Sequence, residues 1–500
     1  MINSVKYPLP PGRGEFKQIA AQLHSELRIQ ELTADSRSVK QGDTFVAYKG
    51  DRVDGRDYIA DAIERGAQSI IWDPEGFDWP MKWQTLNHRS VVNLKGNISA
   101  IAAEVYGNPS QRLRVTGVTG TNGKSSCSLW LTQLLSRIKG KCAVMGTLGN
   151  GIWPQLSESH NTTADAIECQ KWLKRFVDQH CKDCVMEVSS HGLVQGRVGA
   201  VTFTGAIFTN LTRDHLDYHG TMEAYSEAKA LLFQAQDLQW AVINYDDEFG
   251  KQLLHRYRTT IPQVIGYSLT VTNRPGILSA TNIKLTAQGA EFDLTFEGET
   301  YHIFSPLLGR FNIANLMAVL AALLCLDIDL KQTVRLIASL TPPSGRLEKI
   351  VAKNGFVAVI DYAHTPDALE QVLVTLREIT PDHNKLICVF GCGGNRDKGK
   401  RPLMGKVVDQ FADQIIITND NPRDEEPDEI IRAIQSGMTG VSDIILDRRL
   451  AIEYALDCAC PGDIVLVAGK GHEDYQEIKG IKHYFSDQQI VKDYLQRSEA

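Results

Sequence analysis

The chain has 500 residues, enough for two to four domains at about 100–200 residues each. Hydrophobic residues make up 43% and charged residues 23%, the balance of a soluble globular protein. The net charge of -7 is scattered with no basic stripe, which argues against nucleic acid as a partner, and apolar runs such as 318–324 are too short to span a bilayer.

Residues 1–16 lack the basic region and apolar core of a secretory leader. Short strand-like runs follow at 44–48 and 69–72, then a helical segment at 98–106 and the turn Gly107-Asn108-Pro109. From residue 112 apolar strands alternate with amphipathic helices, which predicts a mostly parallel sheet with helices on both faces. A second break comes at Thr341-Pro342-Pro343-Ser344-Gly345. Beyond it, strands are expected at 356–360, 385–390, 414–418 and 463–468, and a helix at 366–376. The fold class is α/β in three domains, with boundaries expected at 1–93, 94–341 and 342–500. Such sheets place ligands at the carboxyl ends of their strands, where this chain carries its polar clusters. Cys181 and Cys184 have metal-ligand spacing, but no second pair stands at a zinc-site distance. Free thiols in the reducing cytoplasm are the expectation.

A strand at 113–118 leads into Gly120-Thr121-Asn122-Gly123-Lys124-Ser125-Ser126, and a helix is expected from about residue 127 to 136. Strand, glycine loop, Lys-Ser and helix form the context of a phosphate-binding loop. Its glycines let backbone N–H groups close around phosphate oxygens, and the helix dipole favours their charge. Lys124 would reach the terminal phosphates, and Ser125 would ligate magnesium. The general pattern asks for glycine at the position of Val118; Gly117 stands one place too early. A strand at 184–186 ends in Glu187, and a strand at 206–208 runs into the His215 segment. A carboxylate and a histidine at neighbouring strand ends could converge on a metal beside the nucleotide. A buried, paired acid and a structural histidine are the plainer alternatives.

The loop Gly120-Thr121-Asn122-Gly123-Lys124 resembles the ATP loop of the Mur ligases and of the related folylpolyglutamate synthetases, which share the missing glycine. The resemblance runs from about residue 33 to 477. It implies an N-terminal UDP-binding domain, a central P-loop ATPase-like doubly wound sheet and a C-terminal Rossmann-like domain. ATP would be held by Gly120, Thr121, Asn122, Gly123, Lys124, Ser125 and Ser126, with Asn312, Arg346, Asp361 and His364. Glu187 and His215 match the family's Mg2+ ligands, and Lys229 matches its carbamylated lysine (N6-carboxylysine). A carbamate is anionic and offers oxygens to a hard cation, whereas a bare ammonium repels one. The segment 33–38, with Ala34 and Ser36, resembles the family's UDP-binding part, and Asp51-Arg52-Val53 falls where a further uridine-contact loop is expected. Asn161, Thr162, Thr163, Ser189, Gln195 and Arg197 match contacts to a muramoyl dipeptide.

Asp420-Asn421-Pro422-Arg423, with Arg396, Gly469 and Glu473, resembles the members of the family that add meso-diaminopimelate. The distal end of that amino acid carries a carboxylate and an ammonium; lysine carries only the ammonium. Arg423 and Arg396 would fork onto the carboxylate, and Glu473 would receive the ammonium. The implied enzyme is an ATP-dependent amide-bond-forming ligase working through an acyl phosphate. It would be a monomer acting on small molecules in cell-wall synthesis, with no membrane insertion. The alternatives are a lysine-adding relative, a folylpolyglutamate synthetase-like ligase, and a non-catalytic nucleotide-binding protein.

Overall fold

The structure is a computed structural model that describes residues 13–50, 53–159 and 161–498. Asp51 and Arg52 of the expected uridine-contact loop, and residues 1–12 of the leader reading, lie outside these. The chain forms two compact units. One comprises Met1–Ala280, Thr295–Glu299 and Ala314–Thr333; the other comprises Thr281–Leu294, Thr300–Ile313 and Val334–Ala500.

The first unit holds two sheets. The smaller has four parallel strands in sequence order, Leu32–Thr33, Thr44–Ala47, Ser69–Trp72 and Asn87–Ser90. Successive strand residues point to opposite faces, so a sheet covered on both sides needs an unbroken apolar run. Val46 and Ile71 pack on one side with Leu23, Leu94 and Ile98 from the helices Arg13–Leu27 and Leu94–Val105. Phe45 and Ile70 pack on the other with Ile59 and Ala62.

The larger sheet runs, strand beside strand, Gln263–Ser268, Trp240–Asn244, Gly205–Phe208, Arg114–Thr119, Asp183–Glu187 and Cys142–Gly146, all parallel. Its core gathers Val115, Met145, Cys184, Ala206, Phe208 and Ile243. The strand Arg114–Thr119 thus lies between the strands that end in Glu187 and in Phe208. The strands Ile277–Thr286, Gly289–Phe296 and Glu299–Ser305 have no counterpart among the predicted elements.

The second unit carries a six-stranded sheet in the order Glu348–Val351, Val357–Asp361, Ile464–Ala468, Leu386–Phe390, Gln414–Ile417 and Asp443–Ile444. Only the first of these strands is antiparallel to its neighbour. Asp361 pairs with Ala468, and Phe390 with Ile417, so the parallel strands end at one edge of the sheet. The helix Pro366–Ile379 begins with proline in its first turn, where a missing N–H costs nothing, and the Thr365 side chain caps it by accepting from Ala368 N–H.

Candidate active site

Strand order assembles the central site. Val118 is paired with Glu187 and Thr119 with Phe208, so three loops leave the sheet side by side. Gly120 and Gly123 both have positive φ, 147° and 86°. Side chains are excluded at both. A Cβ on Gly120 would stand 1.9 Å from Thr209 Oγ1, and one on Gly123 would stand 2.3 Å from Asn315 Oδ1. Asn210 braces the loop: its carbonyl accepts from Thr121 N–H at 2.8 Å, and its Oδ1 accepts from Asn122 N–H at 2.9 Å. Sequence reading missed Thr209 and Asn210, because nothing in their spacing ties them to the loop.

The helix after the loop is Lys124–Lys139, beginning three residues earlier than expected. The left-handed turn at Gly123 lets the chain enter the helix at once. The first N–H groups of that helix, at Lys124, Ser125 and Ser126, therefore stand at its positive end. The Lys124 ammonium donates to the carbonyls of Gly120 at 2.9 Å and Thr121 at 2.8 Å, curling over the loop.

Glu187 is buried and collects donors from two sides. Ser125 Oγ donates to Oε2 at 2.9 Å, and Thr147 N–H donates to Oε1 at 2.9 Å. Burial pushes its carboxyl above the usual range, against the pull of the Lys124 charge. A divalent cation here needs oxygen donors, and the Ser125 hydroxyl and Glu187 carboxylate supply two already in contact. Among the described residues no group of three or more His, Cys, Asp or Glu side chains is gathered to hold a metal. His215 is half-exposed, lies 3.4 Å from Asp214 and meets the His191 ring edge-on at 4.8 Å.

Lys229 is 1% exposed, and its ammonium lies 4.3 Å from the centre of the Tyr225 ring. Burial, then the nearby Lys124 charge, holds this amine well below the ordinary lysine range. Among the described residues it forms no ion pair. The neutral amine is the form that reacts with CO2, so the burial that makes this side chain costly as an ammonium suits it to carbamylation.

The residues matched to a muramoyl dipeptide lie in one network. Thr163 Oγ1 donates to the Glu187 carbonyl at 3.0 Å and sits 3.1 Å from Ser189 Oγ. Arg197 donates to Gln195 Oε1 at 2.9 Å and to the Thr163 carbonyl at 2.8 Å. Thr147, also missed from sequence, spans the gap by contacting Glu187 and, at 3.1 Å, Thr162 Oγ1. Asn161 is exposed on the same loop. In the small sheet, exposed Ala34 and buried Ser36 follow the first strand, where Asp35 caps a short 3-10 turn.

In the second unit, Asp361 ends its strand buried and accepts from Leu347 N–H at 2.7 Å and Ala363 N–H at 2.8 Å. Arg346 stacks on the Tyr362 ring at 5.2 Å, and Asn312 donates to the Leu308 carbonyl at 2.9 Å. The candidate amino-acid residues converge at the ends of three adjacent strands. Arg423, at φ 51°, donates to Glu477 Oε2 and to the Gly394 carbonyl, each at 2.9 Å. A Cβ on Gly393 would stand 3.0 Å from Arg423 Nη1 and 3.8 Å from Arg396 Cγ, so the two arginines flank one glycine. Glu473, expected to await an ammonium, is engaged by Asn421 Nδ2 at 3.1 Å and Tyr362 Oη at 3.4 Å. Asp420 lies against Gly469, whose Cβ would stand 3.0 Å from Asp420 Oδ2, and Pro422 closes on Gly394.

Three domain models match the chain in order. Residues 28–112 match "Mur ligase family, catalytic domain", 118–323 "Mur ligase middle domain" and 345–471 "Mur ligase, glutamate ligase domain". The UDP-N-acetylmuramoyl-L-alanyl-D-glutamate–2,6-diaminopimelate ligase of Chromobacterium violaceum is 46% identical over 472 residues, 94% of each chain. That of Neisseria meningitidis serogroup B is 45% identical over 470 residues, 92% of this chain and 93% of the relative. A solved structure of a ligase of the same name superposes with a TM-score of 0.72 at 37% identity, covering 94% of this chain and 96% of that one. The folylpolyglutamate synthase of Mycobacterium tuberculosis shares the fold alone, with a TM-score of 0.58 at 17% identity over 74% of this chain and 90% of that one. With its three-domain α/β architecture and relatives matched nearly end to end, this chain belongs to the Mur ligase family, the ATP-dependent ligases that form amide bonds.

Proposed function

We propose that the chain joins meso-diaminopimelate to the D-glutamate of UDP-N-acetylmuramoyl-L-alanyl-D-glutamate, using ATP, in peptidoglycan synthesis. The observation that carries this choice of amine is the pair Arg423 and Arg396 flanking Gly393, with Asn421, which donates to Glu473, against the same glycine. A lysine-adding enzyme has no use for cations there. The names of the relatives in Chromobacterium and Neisseria agree with this reading. The N-terminal domain match disfavours a folate-type ligase, and the retained Lys124, Glu187, His215 and Lys229 disfavour a non-catalytic protein.

The helix N-terminus and loop N–H groups hold the triphosphate, and Lys124 turns from its two carbonyls to the terminal phosphates. Asn312, Arg346 and Asp361 hold the rest of the nucleotide. Ala34 and Ser36 hold the UDP end of the acceptor, and Asn161, Thr162, Thr163, Ser189, Gln195 and Arg197 orient its peptide. The acceptor carboxylate attacks the γ-phosphate, giving acyl phosphate and ADP. The diaminopimelate amine then attacks the carbonyl and expels phosphate. Positioning and electrostatic clamping supply the rate. Mg2+, when bound, offsets the repulsion between carboxylate and triphosphate; Ser125 and Glu187 would hold it, with His215 and carbamylated Lys229. Three domains, 1–93, 94–341 and 342–500, divide these tasks in a cytoplasmic monomer. Among the described residues no helix is long and apolar enough to cross a membrane.

The test is phosphate release from ATP with the muramoyl dipeptide present, comparing meso-diaminopimelate with L-lysine. Release with diaminopimelate alone supports the proposal. Release with lysine instead removes the role of Arg423, and release with neither removes the activity.

A further inference from the structure

We infer that Lys470 sets the charge of the candidate amino-acid site and so its preference for diaminopimelate over lysine, an inference that rests on the proposed function. Lys470 follows the strand Ile464–Ala468, and its side chain is 0% exposed. A fully buried ammonium requires compensation, yet this one has no carboxylate to itself. It lies 3.1 Å from Asn421 Oδ1, 3.4 Å from Glu473 Oε2 and 3.5 Å from Asp420 Oδ1. Of the other buried cations, Arg401 pairs with Glu425 at 3.0 Å, and Arg448 is held by Asp487 while also acting at longer range on Asp420 and Glu473. Arg448 forms two bonds to Asp487, at 2.9 and 2.7 Å, and a third to the Ala468 carbonyl at 3.0 Å. One ammonium therefore serves two carboxylates at contact distance, and the formal count of these three groups leaves one negative charge. Glu473 is its outward member, with 19% of its side chain exposed.

A site with one surplus negative charge suits one incoming ammonium, while the neighbouring arginines suit a carboxylate. Removing the Lys470 charge leaves Asp420 and Glu473 repelling each other and doubles the surplus. That change favours the ligand whose distal end is purely cationic, L-lysine, over the ligand whose distal end also carries a carboxylate. Lys470 touches neither ligand in this account; it is a positioning residue acting through Asp420, Asn421 and Glu473.

The experiment measures kcat/KM for meso-diaminopimelate and for L-lysine, with the muramoyl dipeptide and ATP saturating, in the full-length protein and in Lys470→Met. The expected result is a fall of tenfold or more in the ratio of the two values, through the KM for diaminopimelate, with the KM for ATP within twofold. A lysine that only stabilises the fold would lower both values alike, and a ratio unchanged within twofold overturns the inference. If Lys470→Met does not fold, Lys470→Gln keeps a donor at similar reach and is read by the same ratio. Wild-type protein that releases no phosphate with diaminopimelate removes the proposed function itself. That outcome is distinct from an active wild type whose variant keeps its ratio.

Discussion

Ser125 donates its hydroxyl to Glu187 Oε2 at 2.9 Å, tying the first turn of the phosphate-loop helix to the end of the adjoining strand. The same carboxylate meets Thr147, which contacts Thr162 on the loop proposed to hold the acceptor. One buried acid thus links the glycine loop proposed to hold the nucleotide to the residues proposed to hold the acceptor. Replacing Glu187 by Gln keeps the shape and removes the charge. We expect kcat to fall about 10²–10³-fold, the scale of a lost electrostatic partner in a catalytic site. Steady-state phosphate release measures it, and a loss under threefold removes Glu187 from the chemistry.

Lys229→Ala should abolish turnover while ATP still binds, because the phosphate loop does not depend on that side chain. Short-chain carboxylic acids should restore part of the activity by standing in for carbamate oxygens. Full activity in the variant ends the carbamate role. A pH effect accompanies it in protein freed of CO2. The folded amine lies below its unfolded range, so between the two values the unfolded chain binds more protons and stability rises with pH. Lys229→Met should therefore be more stable than the CO2-free parent near neutral pH, and thermal scans should show that gap closing toward pH 10.

Gly120→Ala tests the loop geometry. The added methyl would need φ near 147° and would stand 1.9 Å from Thr209 Oγ1. Backbone strain of this kind costs about 1–3 kcal/mol, and the loop must shift away from Asn210. The expected outcome is a rise of about tenfold or more in the KM for ATP, equivalent to about 1.4 kcal/mol. Nucleotide titration reads it directly; unchanged affinity would show that the loop adapts freely.

Arg423→Ala should raise the KM for diaminopimelate by about 10²-fold or more, while the KM for ATP stays within twofold, because a site built around a substrate charge is left with unpaired groups. Glu477 would lose its partner at 2.9 Å, so a thermal scan is the companion control. Equal rises in both constants would assign Arg423 to the fold.

Glu425 reports on the Arg396 loop. Bonds from Arg401, then from Asn395 N–H, hold its carboxyl at about 2. A depressed acid contributes stability above its unfolded range near 4.5 and loses it as pH falls through the folded value. Glu425→Gln should cost about 1–2 kcal/mol at pH 7 after solvent screening, with the difference vanishing toward pH 2. Urea melts across that range measure it; a gap independent of pH would mean that shape, not charge, is what Glu425 supplies.

Local chemistry wrote much of this protein into its sequence. The Gly120–Ser126 loop declares itself through glycines that must adopt special φ and a lysine at fixed reach. Central parallel strands such as Ser69–Trp72 and Leu386–Phe390 are legible as unbroken apolar runs, because their residues are buried on both faces. Asp420, Asn421 and Arg423 were legible as a turn with charges worth noting. What the sequence could not contain is strand order. Glu187 stands beside Ser125, 62 residues away in the chain, because Asp183–Glu187 pairs with Arg114–Thr119. Thr209, Asn210 and Thr147 join the site for the same reason, and none carries a local signature. The helix start at Lys124 and the engagement of Arg423 by Glu477 likewise depend on partners distant in the chain. Sequence fixes which side chains can do chemistry; the pairing of distant strands, driven by burial and by backbone hydrogen bonds that must all be satisfied, decides which of them meet.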